Sequence, residues 1–525
     1  MKYKVVIPTA GLGSRLKNLS KHVNKALVTI ANKPSISYII EKFPENIEIV
    51  IPLGYKKETV KDYLTLAYPK RKFTFVNIFP FEGEGSGLGF TLLQCKDHLQ
   101  IPFIFCSNDT IVTDEIPLPD CNWMGFADIN ETEQYRSIRF EKNSQVVEIC
   151  SKGATGNVKP YIGLAGIYDH QIFWKAMEGG KNDGAIDVGE SYGLRLLIDK
   201  EIRPIKFNWF DTGNLEALQK SRTFFQQDDS PNILDKEEEA IWFVNDKVIK
   251  FAVDKDFIAN RVKRVQYLGS YVPELISHSE NMYAYRKVEG EIFSKNPNLP
   301  SFKYFLDWMD GFWETKKLDE NEVLEFKKDC GEFYKNKTYK RVKQYFTRFE
   351  QIDSEEIING NHVPKLMDIL NKVDWDYIAD GIPVRFHGDL HFENILIRNG
   401  GMPPFSLLDW RQDFGGKLEY GDIYYDFAKL LHGLIISHEL INQNQFSVNH
   451  KINHIDFDFH RKHSLVECED IFKQYLLTKQ YNVKKVEMLT ALIYLNIAPL
   501  HHYPYTSLLF YLGKSMLYEF VKTKV

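Results

Sequence analysis

Over its first 220 residues the chain alternates short apolar runs with stretches of helical spacing, the pattern of a sheet whose strands are joined by helices. Residues 2–9 (KYKVVIPT) and 103–106 (FIFC) are runs of strand length, and residues 36–43 (ISYIIEKF) have helical character. In such a sheet a ligand is expected at the strand ends. The pattern then changes. Within residues 240–253 two apolar runs flank Asn245-Asp246, which predicts a hairpin, and residues 282–293 (MYAYRKVEGEIF) predict a further strand and a hinge. After Pro300 the spacing becomes helical, and residues 421–430 place Asp422 and Asp426 one turn apart on one helix. Between the two patterns lies QQDDSPN followed by KEEE, which has linker composition. The expected domains are therefore 1–225 and 241–525, joined by a linker over 226–240.

A chain of 525 residues suits two or three domains. A hydrophobic fraction of 44% suffices for packed cores, and the net charge of −5 offers no long-range attraction for nucleic acid or anionic lipid. The apolar stretches 427–436 and 491–512 are interrupted by Lys429, His432, His501, His502 and Pro504, so buried helices are expected there and no membrane insertion. Cys95, Cys106, Cys121, Cys150, Cys330 and Cys468 show no metal-ligand spacing. With no signal peptide ahead of the first strand, a reducing cytoplasm is the expected compartment.

The densest chemistry is His387-Gly388-Asp389-Leu390-His391-Phe392-Glu393-Asn394, with Asp409 fifteen residues after Asn394 at the end of an apolar run. Moving the γ-phosphate of ATP to an alcohol needs a carboxylate facing the hydroxyl and oxygen ligands that hold Mg²⁺ against the phosphates. Asp389, Asn394 and Asp409 fit those roles in that order. Asp409 is followed by Trp410-Arg411, where protein kinases have Phe-Gly, which points toward kinases of small molecules. The stretch resembles the aminoglycoside phosphotransferase and choline kinase family, with its H-G-D-x-x-x-x-N and D-[FW] motifs. The resemblance implies a two-lobed protein-kinase-like α+β domain, with a small lobe over 241–295 and a large lobe over 296–525. Lys250 is then the candidate for the lysine on the ATP phosphates. The helix expected over 256–268 has no Glu to pair with it, only Asn260 and Arg261, and Glu274 is a substitute candidate. Asp426 or Asp422 is expected to tie the catalytic loop down.

The first strand runs into Ala10-Gly11-Leu12-Gly13-Ser14-Arg15-Leu16. Glycines after a strand let backbone N–H groups approach a phosphate closely, so Ala10, Gly11, Gly13 and Ser14 are candidate nucleotide contacts. Neither a third glycine nor a G-x-x-x-x-G-K-[ST] loop is present. Arg15 and Lys25 supply the positive charge that attack at an α-phosphorus requires. This block resembles nucleotidyltransferases that make activated sugars and amino alcohols, with their A-G-x-G-[ST]-R-[LM] loop followed by P-K-x-L; here Asn24 stands in place of the proline. The resemblance implies a Rossmann-like α/β/α domain with Asp109 and Asp211 as Mg²⁺ ligands. It implies base contacts from Gly85, Ser86 and Gly87, and an acceptor site beside Lys152 and Gly163. Ser151 stands where the family's E-K-P segment has Glu.

A kinase makes the phosphate that a nucleotidyltransferase consumes. The expected activity is therefore bifunctional, with ATP and an NTP, CTP favoured, as co-substrates. The acceptor is a small alcohol or sugar, such as an amino alcohol or polyol, activated for surface polysaccharide. Trp308, Trp313, Tyr503 and Tyr505 are candidates for a box around an ammonium group. Two alternatives stand beside it: an anomeric amino-sugar kinase fused to a uridylyltransferase, and a nucleotidyltransferase with an inactive kinase-like sensor or docking domain.

Overall fold

The first strand, Lys4–Val6, is apolar on both faces and lies between two parallel neighbours, Phe103–Cys106 and Glu48–Leu53. Strands covered on both sides read as continuous apolar runs. In this computed structural model, which describes residues 1–129, 132–140, 145–226, 237–400 and 402–522, the sheet runs from Val146–Cys150 through Ser137–Phe140, Lys159–Ile167, Phe103–Cys106, Lys4–Val6 and Glu48–Leu53 to Phe73–Asn77. Asn122–Phe126 pairs with Lys159–Ile167, and Ile202–Lys206 completes the sheet beside Asn122–Phe126. Strand alternation sends Val5, Ile49 and Ile104 into one apolar cluster and Val6, Val50 and Phe105 into the other.

The chain divides into two compact units, Met1–Lys255 with Ile276–Lys287 and Asp256–Leu275 with Val288–Val525. This differs from the expected boundary. The hairpin Glu239–Val244 and Lys247–Ala252 forms as predicted around Asn245, whose φ is 53°, but it and Met282–Arg286 belong to the first unit. The reason is burial. Trp242 packs edge-on against Tyr63 at 5.1 Å, its indole N–H donates to Thr29 Oγ1 at 3.0 Å, and Ile249 and Phe251 join the same core. Lys247 Nζ donates to the carbonyls of Leu66 and Ala67 at 2.8 and 3.1 Å, at the end of helix Lys57–Ala67. Most of the expected linker, 227–236, lies outside the described residues.

The second unit is mainly helical. Three of its helices shape the chemistry: α1 (Lys255–Leu268, whose first residue belongs to the first unit), α2 (Lys337–Arg348) and α3 (Ile423–Ile435). A four-stranded sheet that the sequence pattern does not predict lies here, ordered Asn361–Val363, Glu356–Ile358, His454–Phe459, Phe446–Lys451. Its outer strand is mostly exposed, so no apolar run marked it. Among the described residues no helix is long and apolar enough to cross a membrane. The six cysteines are free, and burial raises the thiol pKa of Cys95 and Cys468 to about 12.

Candidate active sites

In the first unit the glycine turn, Lys25, Asp109 and Asp211 are brought together. Gly13 has φ 68°, and a Cβ there would fall 2.8 Å from the Cβ of Lys25, so the turn closes onto the lysine only with glycine. Above Gly11 there is open space. Ala10 is buried, while Ser14 and Arg15 are exposed. Asn24, which stands in place of the proline, holds the turn by hydrogen bonds. Its buried side chain donates to the carbonyls of Thr9 at 2.9 Å and Tyr55 at 2.7 Å and accepts from Ala26 N at 2.9 Å. The turn is thus fixed to the end of the first strand, and Lys25 Nζ reaches Asp109 Oδ2 at 3.0 Å.

Replacing Asn24 by Ala is therefore expected to slow nucleotidyl transfer by about 10- to 100-fold, through displacement of Lys25. Loss of the buried bonds is expected to cost about 1–3 kcal/mol in stability. Steady-state pyrophosphate release and thermal melting measure the two effects, and an unchanged rate would remove Asn24 from the positioning of Lys25.

Asp109 follows strand Phe103–Cys106, and Asp211 ends strand Trp209–Asp211, which pairs antiparallel with Thr110–Val112 in the register Asp211 to Thr110. The two carboxylates face one space: a Cβ at Gly213 would lie 3.1 Å from Asp109 Oδ2 and 3.1 Å from Asp211 Oδ1. Burial works to raise the Asp109 carboxyl, but Lys25, the Ser107 hydroxyl and Arg15 overcome it and hold the pKa at about 2. Asp211 is raised, by burial and by the charge of Asp109. A close pair of this kind, left with excess negative charge, suits a hard cation that completes its shell with phosphate oxygens. No group of three or more His, Cys, Asp or Glu side chains forms a metal cage among the described residues.

Two residues escaped the sequence reading. Tyr135 donates its hydroxyl to Asp211 Oδ2 at 2.8 Å, and Asn108, buried beside Asp109, has no partner for its side-chain amide among the described residues. Neither carries a motif. Gly163, at φ 70°, packs against Ser107, and its carbonyl accepts from Ser107 N at 2.8 Å, so it shapes the turn that carries Asp109. Loop 83–87 starts beside the glycine turn: a Cβ at Gly54 would meet both Ala10 O, at 2.6 Å, and Phe81 Cβ, at 2.7 Å. Gly85 is open, at φ 78°, and the Ser86 hydroxyl is spent on Gly83 O at 2.6 Å. Gly87 serves packing, since a Cβ there would fall 2.3 Å from Ile186 O. Lys152 lies exposed on a turn.

Lys250 is buried on the hairpin strand of the first unit, in register with Ile241 and Tyr283. Alternation places it on the face opposite Lys247, Ile249 and Phe251. Asp389, Asn394 and Asp409 belong to the second unit. Gly388 (φ 86°) turns the loop tightly enough that a Cβ would collide with Arg411 Cβ at 2.6 Å. Asp426, rather than Asp422, ties the loop: its carboxylate accepts from His387 N at 2.8 Å, Gly388 N at 2.7 Å and Trp313 Nε1 at 3.1 Å. Asp422 instead caps α3 and takes the Tyr334 hydroxyl at 2.7 Å. Replacing Asp426 by Asn would set an amide N–H₂ against one of those loop N–H donors. The expected result is a loss of about 2–3 kcal/mol with a collapse of phosphoryl transfer, read by chemical denaturation and ADP release.

Asp389 is contacted by Lys429 Nζ at 2.8 Å and His391 Nε2 at 3.8 Å. Burial would raise its carboxyl, yet the ammonium of Lys429 and the charge on His391 hold it well below the usual carboxylate range. Asn394 Nδ2 donates to Asp389 O at 2.9 Å, and Leu408 N donates to Asn394 O at 2.7 Å, which sets the Asp409 segment beside Asn394. An amide oxygen and a carboxylate are hard donors of the kind Mg²⁺ takes. Asp409 has φ 54° and is ion-paired with Arg261 of α1. The helix expected to supply a Glu thus presents a guanidinium to Asp409. Arg264, one turn on, donates to the carbonyls of Phe386, His387, Arg411 and Leu418, so α1 braces the loop.

The four candidate aromatics have separate surroundings, with Tyr505 packed on Phe446 and His501. Trp313 is committed to Asp426 and packs on Phe427, Trp308 packs on Tyr271 and Phe405, and Tyr503 is exposed.

Residues 268–444 match the phosphotransferase enzyme family. The phosphotransferase segment includes Asp389, Asn394, Asp409, α2 and α3 and omits the hairpin with Lys250. The N-terminal region is similar to curated nucleotidyltransferases. A "Bifunctional protein GlmU" of Methanocaldococcus jannaschii is 26% identical over 257 residues, which cover 47% of this chain and 60% of that protein's length. The UTP–glucose-1-phosphate uridylyltransferase YngB of Bacillus subtilis is 30% identical over 136 residues, 22% of this chain and 46% of that one. The solved CTP:phosphocholine cytidylyltransferase of Streptococcus pneumoniae aligns over 43% of this chain and all of its own, at 17% identity and a TM-score of 0.34, a likeness that bears on neither nucleotide nor acceptor. The chain resembles a fusion of a nucleotidyltransferase with a phosphotransferase-family kinase.

Proposed function

We propose that the protein phosphorylates a small alcohol with ATP and then transfers a nucleoside monophosphate to the new phosphate. The observation that carries this reading is that one chain holds both constellations, Lys25 with Asp109 and Asp211, and Asp389 with Asn394 and Asp409, whose reactions are chemically consecutive. In the first step the alcohol oxygen, aligned by Asp389, bonds to the γ-phosphorus as the bond to ADP breaks, and the hydroxyl proton passes to Asp389. In the second, an oxygen of the phosphorylated alcohol bonds to the α-phosphorus of the NTP and pyrophosphate leaves. Lys25 and Arg15 neutralise charge on the reacting phosphates. Asp109 and Asp211, and separately Asn394 and Asp409, would hold Mg²⁺, which supplies further positive charge on the phosphate oxygens.

CTP is the favoured nucleotide on the resemblance to transferases of activated amino alcohols. UTP is the second reading, favoured by the identity with a uridylyltransferase. The acceptor is an amino alcohol or a polyol, and the product is an activated precursor for surface polysaccharide. The test is mass spectrometry of a small-molecule extract incubated with the full chain, Mg²⁺, ATP and each NTP in turn. The expected result is an ATP-dependent phosphorylated species that CTP converts to a nucleotidyl product. Conversion by UTP alone would replace the nucleotide, and absence of any ATP-dependent phosphorylation would overturn the kinase half.

A further inference from the structure

Near Asp389 the second unit gathers more positive charge than its carboxylates match. α3 carries Tyr425 and Lys429 one turn apart, α2 carries Lys337 and Arg341 one turn apart, and Arg411 follows Trp410. Lys337 Nζ lies 3.1 Å from the Tyr425 hydroxyl and 4.7 Å from the centre of the Phe333 ring, and the Arg411 guanidinium lies 5.0 Å from the centre of the same ring.

The acids are already taken. Asp389 is paired with Lys429, Glu393 with His391 at 2.8 Å and His438 at 3.4 Å, and Asp409 with Arg261, while Asp426 takes His387 N, Gly388 N and Trp313 Nε1 and the Asp413 carboxylate takes Gly416 N. Lys337, Arg341 and Arg411 have no carboxylate within ion-pair distance among the described residues. Their polar partners are the Tyr425 hydroxyl, Gln344 Oε1 at 2.8 Å and the Asp413 carbonyl at 3.0 Å.

The surplus is felt by its neighbours. Burial works to raise the Tyr425 phenol, but Lys337, Lys429 and Arg411 overcome it and bring it down to about 8. Burial pulls the Lys337 ammonium down to about 8, and Arg411 and Lys429 push the same way. Partly buried cations without counter-charge are costly, and an anionic ligand group removes that cost through charge-assisted hydrogen bonds.

Resting on the kinase reading of Asp389, we propose that the acceptor alcohol itself carries an anionic group, a carboxylate or a phosphate monoester, which Lys337, Arg341 and Arg411 hold while the hydroxyl faces Asp389. The same charges repel a choline-like ammonium. The acceptor class thus shifts from amino alcohols to hydroxy acids or phosphorylated polyols, and the first product bears two anionic groups.

The test uses the full chain with Mg²⁺ and ATP and four small alcohols: D-glycerate, glycerol 3-phosphate, glycerol and choline. ADP release and mass spectrometry give kcat/KM, and ligand-observed NMR gives binding. At least one of the two anions is expected to exceed glycerol and choline by tenfold or more, and which one does so distinguishes carboxylate from phosphate. Lys337→Met and Arg341→Gln are each expected to raise KM or Kd for that anion by tenfold or more without moving KM for ATP, with melting curves that overlay the wild type. Anion binding that these variants abolish, with no ATP-dependent phosphorylation of any acceptor, would sink the kinase reading and leave the anion site standing. Failure of both anions to bind, equal or better use of glycerol or choline, or a variant effect on ATP instead of acceptor would overturn the proposal.

Discussion

Asp389→Ala is expected to lower ATP-dependent phosphorylation by about 10²- to 10⁴-fold while pyrophosphate release from an NTP and a supplied phosphorylated acceptor continues. Asp389 lies on the loop that Asp426 and Arg264 fix, and Lys429 orients it at 2.8 Å. Because Lys429 and His391 favour its ionised form, it accepts a proton weakly and acts first by aligning the hydroxyl. That suits a loose transition state, in which the attacking oxygen loses its proton late. Asp389→Asn keeps an acceptor for the hydroxyl and is expected to retain more activity than Ala. Equal losses would shift the role toward proton transfer, and undiminished phosphorylation in the Ala variant would remove Asp389 from the reaction. ADP release, with pyrophosphate release as the control for folding of the first unit, reads all three outcomes.

Asp211→Asn is expected to have the complementary effect. Nucleotidyl transfer should fall by about 10²- to 10³-fold, since loss of preorganised charge at the α-phosphate is worth about 3–4 kcal/mol, and the phosphorylated alcohol should accumulate. Stability should hold or rise. The side-chain oxygen of Asn can still accept from Gly213 N, its amide can donate to Tyr135, and the repulsion from Asp109 disappears. A loss of stability as large as the loss of rate would mean that Asp211 serves the fold instead of the reaction. Retained transfer would remove it from the cation site.

Much of this was legible locally. The turn at Asn245, the strand ending toward Asp109, the loop 387–394 and α3 with Asp426 all depend on residues a few positions apart, so pattern and motif carried them. Other features depend on partners far away in the chain. Tyr135 reaches Asp211, Arg261 reaches Asp409, and α2 meets Tyr425 and Arg411 around Phe333, with no shared motif to announce any of them. The two apolar runs within 240–253 predicted a hairpin. That it is buried with Tyr63 in the first unit was decided by packing, because periodicity shows which face seeks cover and not which neighbour supplies it. By itself the sequence determined the change from an alternating strand and helix pattern to a mainly helical one, and the two motifs on which the proposed reactions rest. Tertiary structure decided how charge is balanced around them, since that depends on which ionised groups end up within a few ångströms of one another.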